Sequence, residues 1–271
     1  TAAESAVTAY ASPRRLAAHV TDVAAQAADK PVSQKLMPVS VGLDAEGQPT
    51  PALLKKLAAL GLDLAVVAQL KREGEGKAET LYFDSMVKGA TLAEGLQKAL
   101  DEALAKLPIP KVMTYQLADG WSSVNFVRPA HALVALHGAD VIPVSVLGLI
   151  AGRETQGHRF EAASPTVVIK DADSYAVQME ADGAVIPGFE KRRDEIVRQL
   201  ADAAAKVGGG VQAIEDAALL DEVTALVERP NVLVCQFEEA FLQVPQECLI
   251  LTMKANQKYF PLLDAEGRLT N

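Results

Sequence analysis

Residues 78–108 read AETLYFDSMVKGATLAEGLQKALDEALAKLP, and their interpretation decides the fold class. The stretch to Lys88 is short, rich in aromatic and β-branched residues, and reads as a strand. With residues 65–72 as a second strand, the turn Glu73-Gly74-Glu75-Gly76 between them makes a hairpin. Thr91-Leu92-Ala93-Glu94 then has the form of a capping box, in which the threonine hydroxyl and the glutamate carboxylate satisfy the first free N–H groups of a helix. Leu92, Leu96, Leu100, Leu104 and Leu107 follow at helical spacing, and Pro108 ends the run. A hairpin feeding directly into an amphipathic helix belongs to a mixed α+β module rather than to a doubly wound parallel sheet.

The flanks repeat this irregular alternation. On the N-terminal side, Thr50-Pro51 opens a helix with Leu53, Leu54, Leu57 and Leu60 on one face and Gly61 as its stop. The tetrapeptide Asp-Ala-Glu-Gly occurs at residues 44–47 and again at 264–267, each time after leucine, which suits a hairpin loop ending in a positive-φ glycine. Ser12-Pro13-Arg14-Arg15 leads into a strand over Leu16 to Val23. On the C-terminal side, strands are expected at 123–128, 141–149 and 166–170, with a short helix beginning at Pro129. A long helix from Gly188 to Val207 turns Phe189, Ile196, Leu200, Ala204 and Val207 inward. Gly208-Gly209-Gly210 breaks it and reads as a flexible connection, dividing the chain into 1–207 and 208–271. The second part is either a continuation of the same module or a small α+β subdomain. It should hold a helix near 215–227, a buried strand from Val232 to Phe237, a helix opened by Pro245 and a strand from Lys258 to Leu263.

Composition narrows the function classes. The 271 residues are 49% hydrophobic and 23% charged, an ordinary globular balance that excludes a disordered tail, a collagen-like repeat and a disulfide scaffold. With 26 Lys+Arg against 35 Asp+Glu the net charge is -9, so contact with a phosphate backbone requires a local basic patch. Cys235 and Cys248 show no C-x-x-C pattern and read as buried, reduced thiols of a cytosolic protein. No apolar run approaches the roughly 20 residues of a membrane span. The start without methionine and the end in mid-turn at Asn271 suggest a piece of a longer chain.

Self-contained chemistry is hard to assemble from these residues. Gly74-Glu75-Gly76-Lys77 lacks the spacing and the hydroxyl of a P-loop, and its glutamates would repel phosphate. His19, His131, His137 and His158 form neither H-E-x-x-H nor a set with paired cysteines, so no metal ligands are assigned. No G-x-S-x-G elbow is present, and no catalytic residue is assigned. The informative clustering is cationic: His131, His137 and His158 fall near Arg128, Arg153 and Arg159. Gly152-Arg153 and Gly157-His158-Arg159-Phe160 put forked donors beside glycines, a pattern suited to gripping phosphate or carboxylate. The alternative, pairing of these arginines with Glu154, Glu161 or Asp140 inside the fold, stays open. Lys191-Arg192-Arg193 with Arg198 is interleaved with acids and reads as a solvated helix face.

Several motifs taken together resemble the β subunit of the bacterial heterotetrameric glycyl-tRNA synthetase. They are Tyr10-Ala-Ser-Pro-Arg-Arg-Leu16, Gly47-Gln-Pro-Thr50, Leu107-Pro-Ile-Pro-Lys-Val-Met113, Phe126-Val-Arg-Pro-Ala-His131, Val146-Leu-Gly-Leu149 and Gly152 to Phe160. Arg192-Arg-Asp-Glu-Ile-Val197, Leu220 to Glu228, Pro245-Gln-Glu and Thr252-Met-Lys-Ala-Asn-Gln-Lys-Tyr-Phe-Pro261 complete a collinear set spanning nearly the whole chain. The stretch Met113 to Trp121 and the residue Ala132 depart from the family pattern.

The resemblance implies a fragment of glycine-tRNA ligase, an ATP-using aminoacyl-tRNA synthetase of the cytoplasm. It implies a fold similar to the editing-type module of the phenylalanyl-tRNA synthetase β subunit and a non-catalytic role in tRNA handling and assembly. ATP and Mg²⁺ are expected on the α subunit of an α2β2 assembly, with no cofactor in this chain; the other partner is tRNA(Gly), and no membrane is involved. Arg128, His131, Arg153, His158 and Arg159 are then candidates to face tRNA or a subunit surface, and Lys254, Gln257, Lys258 and Tyr259 form a second candidate contact. Two alternatives are hydrolytic editing, for which His131 or His158 would be the base, and a protein-interaction scaffold without RNA contact.

Overall fold

The strand and helix expected in residues 78–108 are both present in the computed structural model, as strand Thr80–Val87 and helix Leu92–Lys106. Residues 4–74 and 79–271 are described; the turn Glu73 to Gly76 and the P-loop-like Gly74 to Lys77 lie in part outside them. The capping box forms as expected: Glu94 Oε2 accepts from the Thr91 N–H at 2.8 Å, and Thr91 Oγ1 accepts from the Glu94 N–H at 3.3 Å. The chain divides into two units, residues 24–98 and residues 1–23 with 99–271, and the second division falls inside this helix.

The smaller unit is built on a three-stranded antiparallel sheet. Thr80–Val87 lies at its centre, between Lys30–Pro38 and Lys71–Glu73. Helix Pro51–Ala59 covers it, with Thr50 Oγ1 accepting from the Leu53 N–H. The expected leucine face supplies the core: Leu53 and Leu57 are fully buried with Leu36 and Leu81. Burial of each such side chain stabilises by about 1.5–3 kcal/mol. The expected strand at 65–72 is corrected to a 3-10 helix, Leu64–Gln69, followed by the short strand Lys71–Glu73. Asp63 accounts for the difference, because its carboxylate accepts from the Leu64 N–H at 2.6 Å and starts a turn that β-branched composition alone does not foretell.

In the larger unit most strands are short and arranged as antiparallel hairpins. Val7–Ser12 pairs with Arg15–Val20, Met113–Gln116 with Ser123–Phe126, and Glu154–Gln156 with Thr166–Val168. Leu136–His137 pairs with Asp140–Val141, and Ser145–Val146 with Leu149–Ile150. Helices Tyr175–Ala181, Phe189–Val207 and Ala217–Leu226 pack in this unit, whose core includes Val167, Ile169, Met179, Val185 and Ile196. The architecture is α+β, as the sequence suggested.

Several expectations in this unit are corrected. No helix begins at Pro129: the Ala135 N–H donates to the Gly152 carbonyl and the Gly152 N–H to the Leu133 carbonyl, so strand-like pairing takes the groups a helix would use. Val232 to Phe237 is not a buried strand; it carries no assigned element and exposes Leu233 and Val234. Both cysteines are exposed rather than buried. The final strand shrinks to Leu262–Leu263, because Lys258 adopts φ 58° at the end of a π-helical turn over Met253–Gln257. Val207 is exposed rather than inward. The two Asp-Ala-Glu-Gly turns do match: Asp44 and Asp264 each accept the N–H of the glycine three residues on, with Gly47 at φ 77° and Gly267 at φ 76°. No described helix is long and apolar enough to cross a membrane.

Candidate functional site

The hairpin Val7–Ser12/Arg15–Val20 turns through Pro13 and Arg14, since Ser12 pairs with Arg15. Proline supplies a preset φ for such a turn, and the result is two adjacent guanidinium groups at the tip. Both converge on one carboxylate, Glu228, which follows helix Ala217–Leu226 and is 7% exposed. Arg14 Nη2 donates to Glu228 Oε2 at 2.7 Å, and Arg15 Nη1 pairs with Oε1. Burial pushes the Glu228 carboxyl up, but the Arg14 hydrogen bond and the charges of Arg15 and Arg14 outweigh it and hold the group below the ordinary glutamate range.

A third arginine lies beneath. Arg192 is fully buried in the first turn of helix Phe189–Val207. Its Nη1 donates to the Ile186 carbonyl at 2.7 Å, Nη2 to Ala11 at 2.8 Å and Nε to Thr224 at 3.0 Å. The planar fork thereby ties the first hairpin, the helix entry and the end of helix Ala217–Leu226 together. Burial drives this guanidinium below its usual range, with the Glu228 charge acting in the opposite direction. Here the reading of 191–198 as a wholly solvated face is corrected. Lys191, Arg193 and Arg198 do form outward pairs with Glu180, Asp221 and Glu195, but Arg192 shares the inward stripe of Phe189 and Ile196. The Arg198 hydrogen bond, with one from Gln199, lowers the Glu195 carboxyl to about 2.

The same arginine pair fixes the loop Gly157-His158-Arg159-Phe160. Arg15 Nη2 donates to the carbonyls of Gln156 and, at 3.3 Å, Gly157; Arg14 Nη2 reaches the Gly157 carbonyl at 3.4 Å. Gly157 is required there, because a Cβ would lie 2.6 Å from that of Ala162 and 3.0 Å from the Gly183 carbonyl oxygen. His158 Nδ1 accepts from the backbone N–H groups of Phe160 at 3.3 Å and Glu161 at 3.2 Å, which engages that nitrogen in holding the loop. What the loop presents outward is Phe160, 85% exposed, with the Arg159 guanidinium 5.9 Å from its ring centre. A cation beside an open aromatic face can contact phosphate and stack on a base, or anchor a protein surface.

The other candidates fall apart from this group. Arg153 donates to the carbonyls of Lys170 at 3.2 Å and Ala139 at 2.6 Å, so it braces the fold; it does not pair with Glu154 or Asp140. Glu161 faces Arg229 at 4.0 Å. Arg128 and His131 are exposed in the irregular stretch after strand Ser123–Phe126. Lys254 pairs with Asp216, and Lys258 reaches Glu222 at 2.8 Å, while Gln257 and Tyr259 are exposed. Among the described residues no three His, Cys, Asp or Glu side chains converge as a metal ligand set. Sequence reasoning passed over Arg14, Arg15, Arg192 and Glu228 as a group. The available signals were the helical phase of Arg192 with Phe189 and Ile196 and the place of Arg14, Arg15 and Glu228 within the family motifs.

All 271 residues match the profile of the family described as glycyl-tRNA synthetase beta subunit. Curated proteins named glycine–tRNA ligase beta subunit are similar over nearly the whole chain. The protein from Leptothrix cholodnii is 74% identical over 99% of the chain and 37% of its own length. That from Dechloromonas aromatica is 72% identical over 99% of the chain and 39% of its own length, and that from Delftia acidovorans 71% over 99% and 38%. The chain thus spans less than two fifths of the length of these relatives. On a match of this extent, the chain belongs to the glycyl-tRNA synthetase β-subunit family.

Proposed function

We propose that these residues are a non-catalytic tRNA-handling and assembly part of a glycine-tRNA ligase β subunit, within a cytoplasmic enzyme that charges tRNA(Gly) with glycine at the expense of ATP. In this reading the α subunit of an α2β2 assembly holds ATP and Mg²⁺, and the β subunit contributes RNA contact. The fold likeness to the editing-type module of the phenylalanyl-tRNA synthetase β subunit belongs to the same proposal; the run of short hairpins and packed helices is consistent with it. The observation that carries the reading is the exposed Arg159–Phe160 pair on a loop whose start is held by Arg14 and Arg15 and whose turn is closed by His158. In a chain of net charge -9, a cation and an open aromatic face held rigidly together are the chemistry an RNA contact needs.

The test is binding of labelled tRNA(Gly) to the assembled synthetase carrying R159A and F160A, followed by anisotropy across a salt series. Loss of one phosphate contact should flatten the logarithmic salt slope by about 0.7–0.9, and loss of stacking should weaken binding by about 1–3 kcal/mol at every salt concentration. Unchanged affinity and slope for the double variant would reject the assignment of RNA contact to this loop.

A further inference from the structure

The loop that carries Arg159 and Phe160 runs directly into a cleft of about 520 Å³, a size at which small-ligand sites are found. Glu161, the residue after Phe160, and Arg229, the residue after Glu228, both border it. The walls are fixed by hydrogen bonds. Val185 and Ile186 supply an apolar wall with Pro230, and their N–H groups donate to the carbonyls of Met179 and Glu228, both at 2.9 Å. Gln199 braces another wall: its Nε2 donates to Glu195 Oε1 at 2.7 Å and to the Pro230 carbonyl at 3.0 Å, and its Oε1 accepts from the Val232 N–H at 2.8 Å. Ala184, 4% exposed, borders the cleft at φ 52°, a left-handed conformation that costs energy in any residue with a Cβ, and strain of this kind gathers at ligand clamps.

Charge and hydrogen-bonding capacity select the ligand. Three carboxylates border the cleft, and each already has a cation: Glu195 has Arg198 at 2.6 Å, Glu180 has Lys191 at 2.5 Å, and Glu161 faces Arg229 at 4.0 Å. Glu228, just before Arg229, is matched by Arg14 and Arg15. An ammonium ligand therefore meets no uncompensated anion. What the cleft offers is acceptor capacity, because an ionised carboxylate has about four lone-pair sites, and Glu180 Oε1 and both Glu161 oxygens accept no hydrogen bond among the described residues. Paired carboxylates with open lone pairs suit hydroxyl groups, as carboxylates hold the ribose of bound nucleotides. The half-exposed Arg229 guanidinium, with no hydrogen bond among the described residues, suits a phosphate, and the apolar wall suits a base. We infer that the cleft takes one unpaired ribonucleotide of the RNA that meets the Arg159–Phe160 loop, with Glu161 and Glu180 accepting from its ribose and Arg229 donating to its phosphate. This inference rests on the proposed RNA contact at that loop.

The experiment uses the assembled synthetase with Glu161→Ala or Arg229→Ala in the β subunit, and tRNA(Gly) whose unpaired residues carry 2′-deoxyribose one at a time, with affinity read by anisotropy. The sign is diagnostic. Removing an anion strengthens RNA binding where the carboxylate only repels phosphate, whereas Glu161→Ala should weaken it about tenfold, the worth of one hydrogen bond to a charged group. Arg229→Ala should weaken it by a similar factor. One 2′-deoxy position should weaken binding to the parent and have no further effect on Glu161→Ala, because hydroxyl and acceptor form a single contact. Equal or tighter binding by Glu161→Ala overturns the inference, as do 2′-deoxy effects that are the same in parent and variant. A parent that tolerates every 2′-deoxy position also overturns it, whatever the stability of the variants. Binding of a free amino acid that Glu161→Ala abolishes would make the cleft a zwitterion site and overturn it as well. Normal binding by the R159A and F160A double variant would defeat the loop reading; an impaired double variant beside a normal Glu161→Ala defeats the cleft assignment alone.

Discussion

Replacing Arg192 with methionine removes four hydrogen bonds, to Ile186, Pro187, Ala11 and Thr224, while conserving most of the side-chain volume. Each carbonyl left without a donor costs about 1–3 kcal/mol where water cannot reach it, and release of the guanidinium from its own desolvation offsets part of the sum. The net loss is expected at about 3–5 kcal/mol, the summed cost of these carbonyls less that offset. Arg193→Met is the matched control, because its pair with Asp221 at 2.7 Å has a carboxylate 56% exposed and is worth under about 1 kcal/mol. Urea unfolding should be followed by far-ultraviolet circular dichroism, since the one tryptophan is already exposed in the folded state. Arg192→Lys should fall between the two, because an ammonium group cannot span carbonyls from three stretches of chain as a planar fork does. A midpoint for Arg192→Met equal to that of Arg193→Met would refute the argument that this residue organises the hairpin, helix entry and helix end.

Two further outcomes are expected, one from the neighbouring Glu228 and one from the smaller unit. The folded-state pKa of Glu228 is depressed, so its contribution is full above the ordinary glutamate range and is lost as pH falls through the folded value. Glu228→Gln should therefore lower stability at neutral pH by about 3 kcal/mol and unfold with a flatter acid dependence than the parent, which urea midpoints across pH 2–7 would measure; identical acid profiles would contradict this. In the smaller unit, Gly89→Ala places a Cβ 1.9 Å from the Ala27 carbonyl oxygen, a clash with backbone that no rotamer relieves. It should cost more than about 3 kcal/mol, and a melting temperature within a degree or two of the parent would disprove that close approach.

What the sequence by itself determined is what short-range physics controls. The helices at Pro51–Ala59, Leu92–Lys106, Phe189–Val207 and Ala217–Leu226 carry their own caps or their own 3.6-residue apolar spacing, and the two Asp-Ala-Glu-Gly turns carry a side chain that bonds the backbone within four residues. The family resemblance was legible for a related reason: its motifs are contiguous strings, and both charged ends of the Arg14–Arg15–Glu228 contact lie inside them. Tertiary structure alone decided the rest. Val232 to Phe237 is apolar enough for a strand, yet pairing depends on a neighbouring strand, and none of the described residues supplies one. Arg192 and Arg193 are adjacent and chemically identical, but one is sealed under carbonyls from Ala11, Ile186 and Thr224 while the other faces solvent and Asp221. Those carbonyls come from three separate stretches of chain, so while helical phase turns Arg192 inward with Phe189 and Ile196, what it meets there is set by long-range contacts that no local pattern encodes.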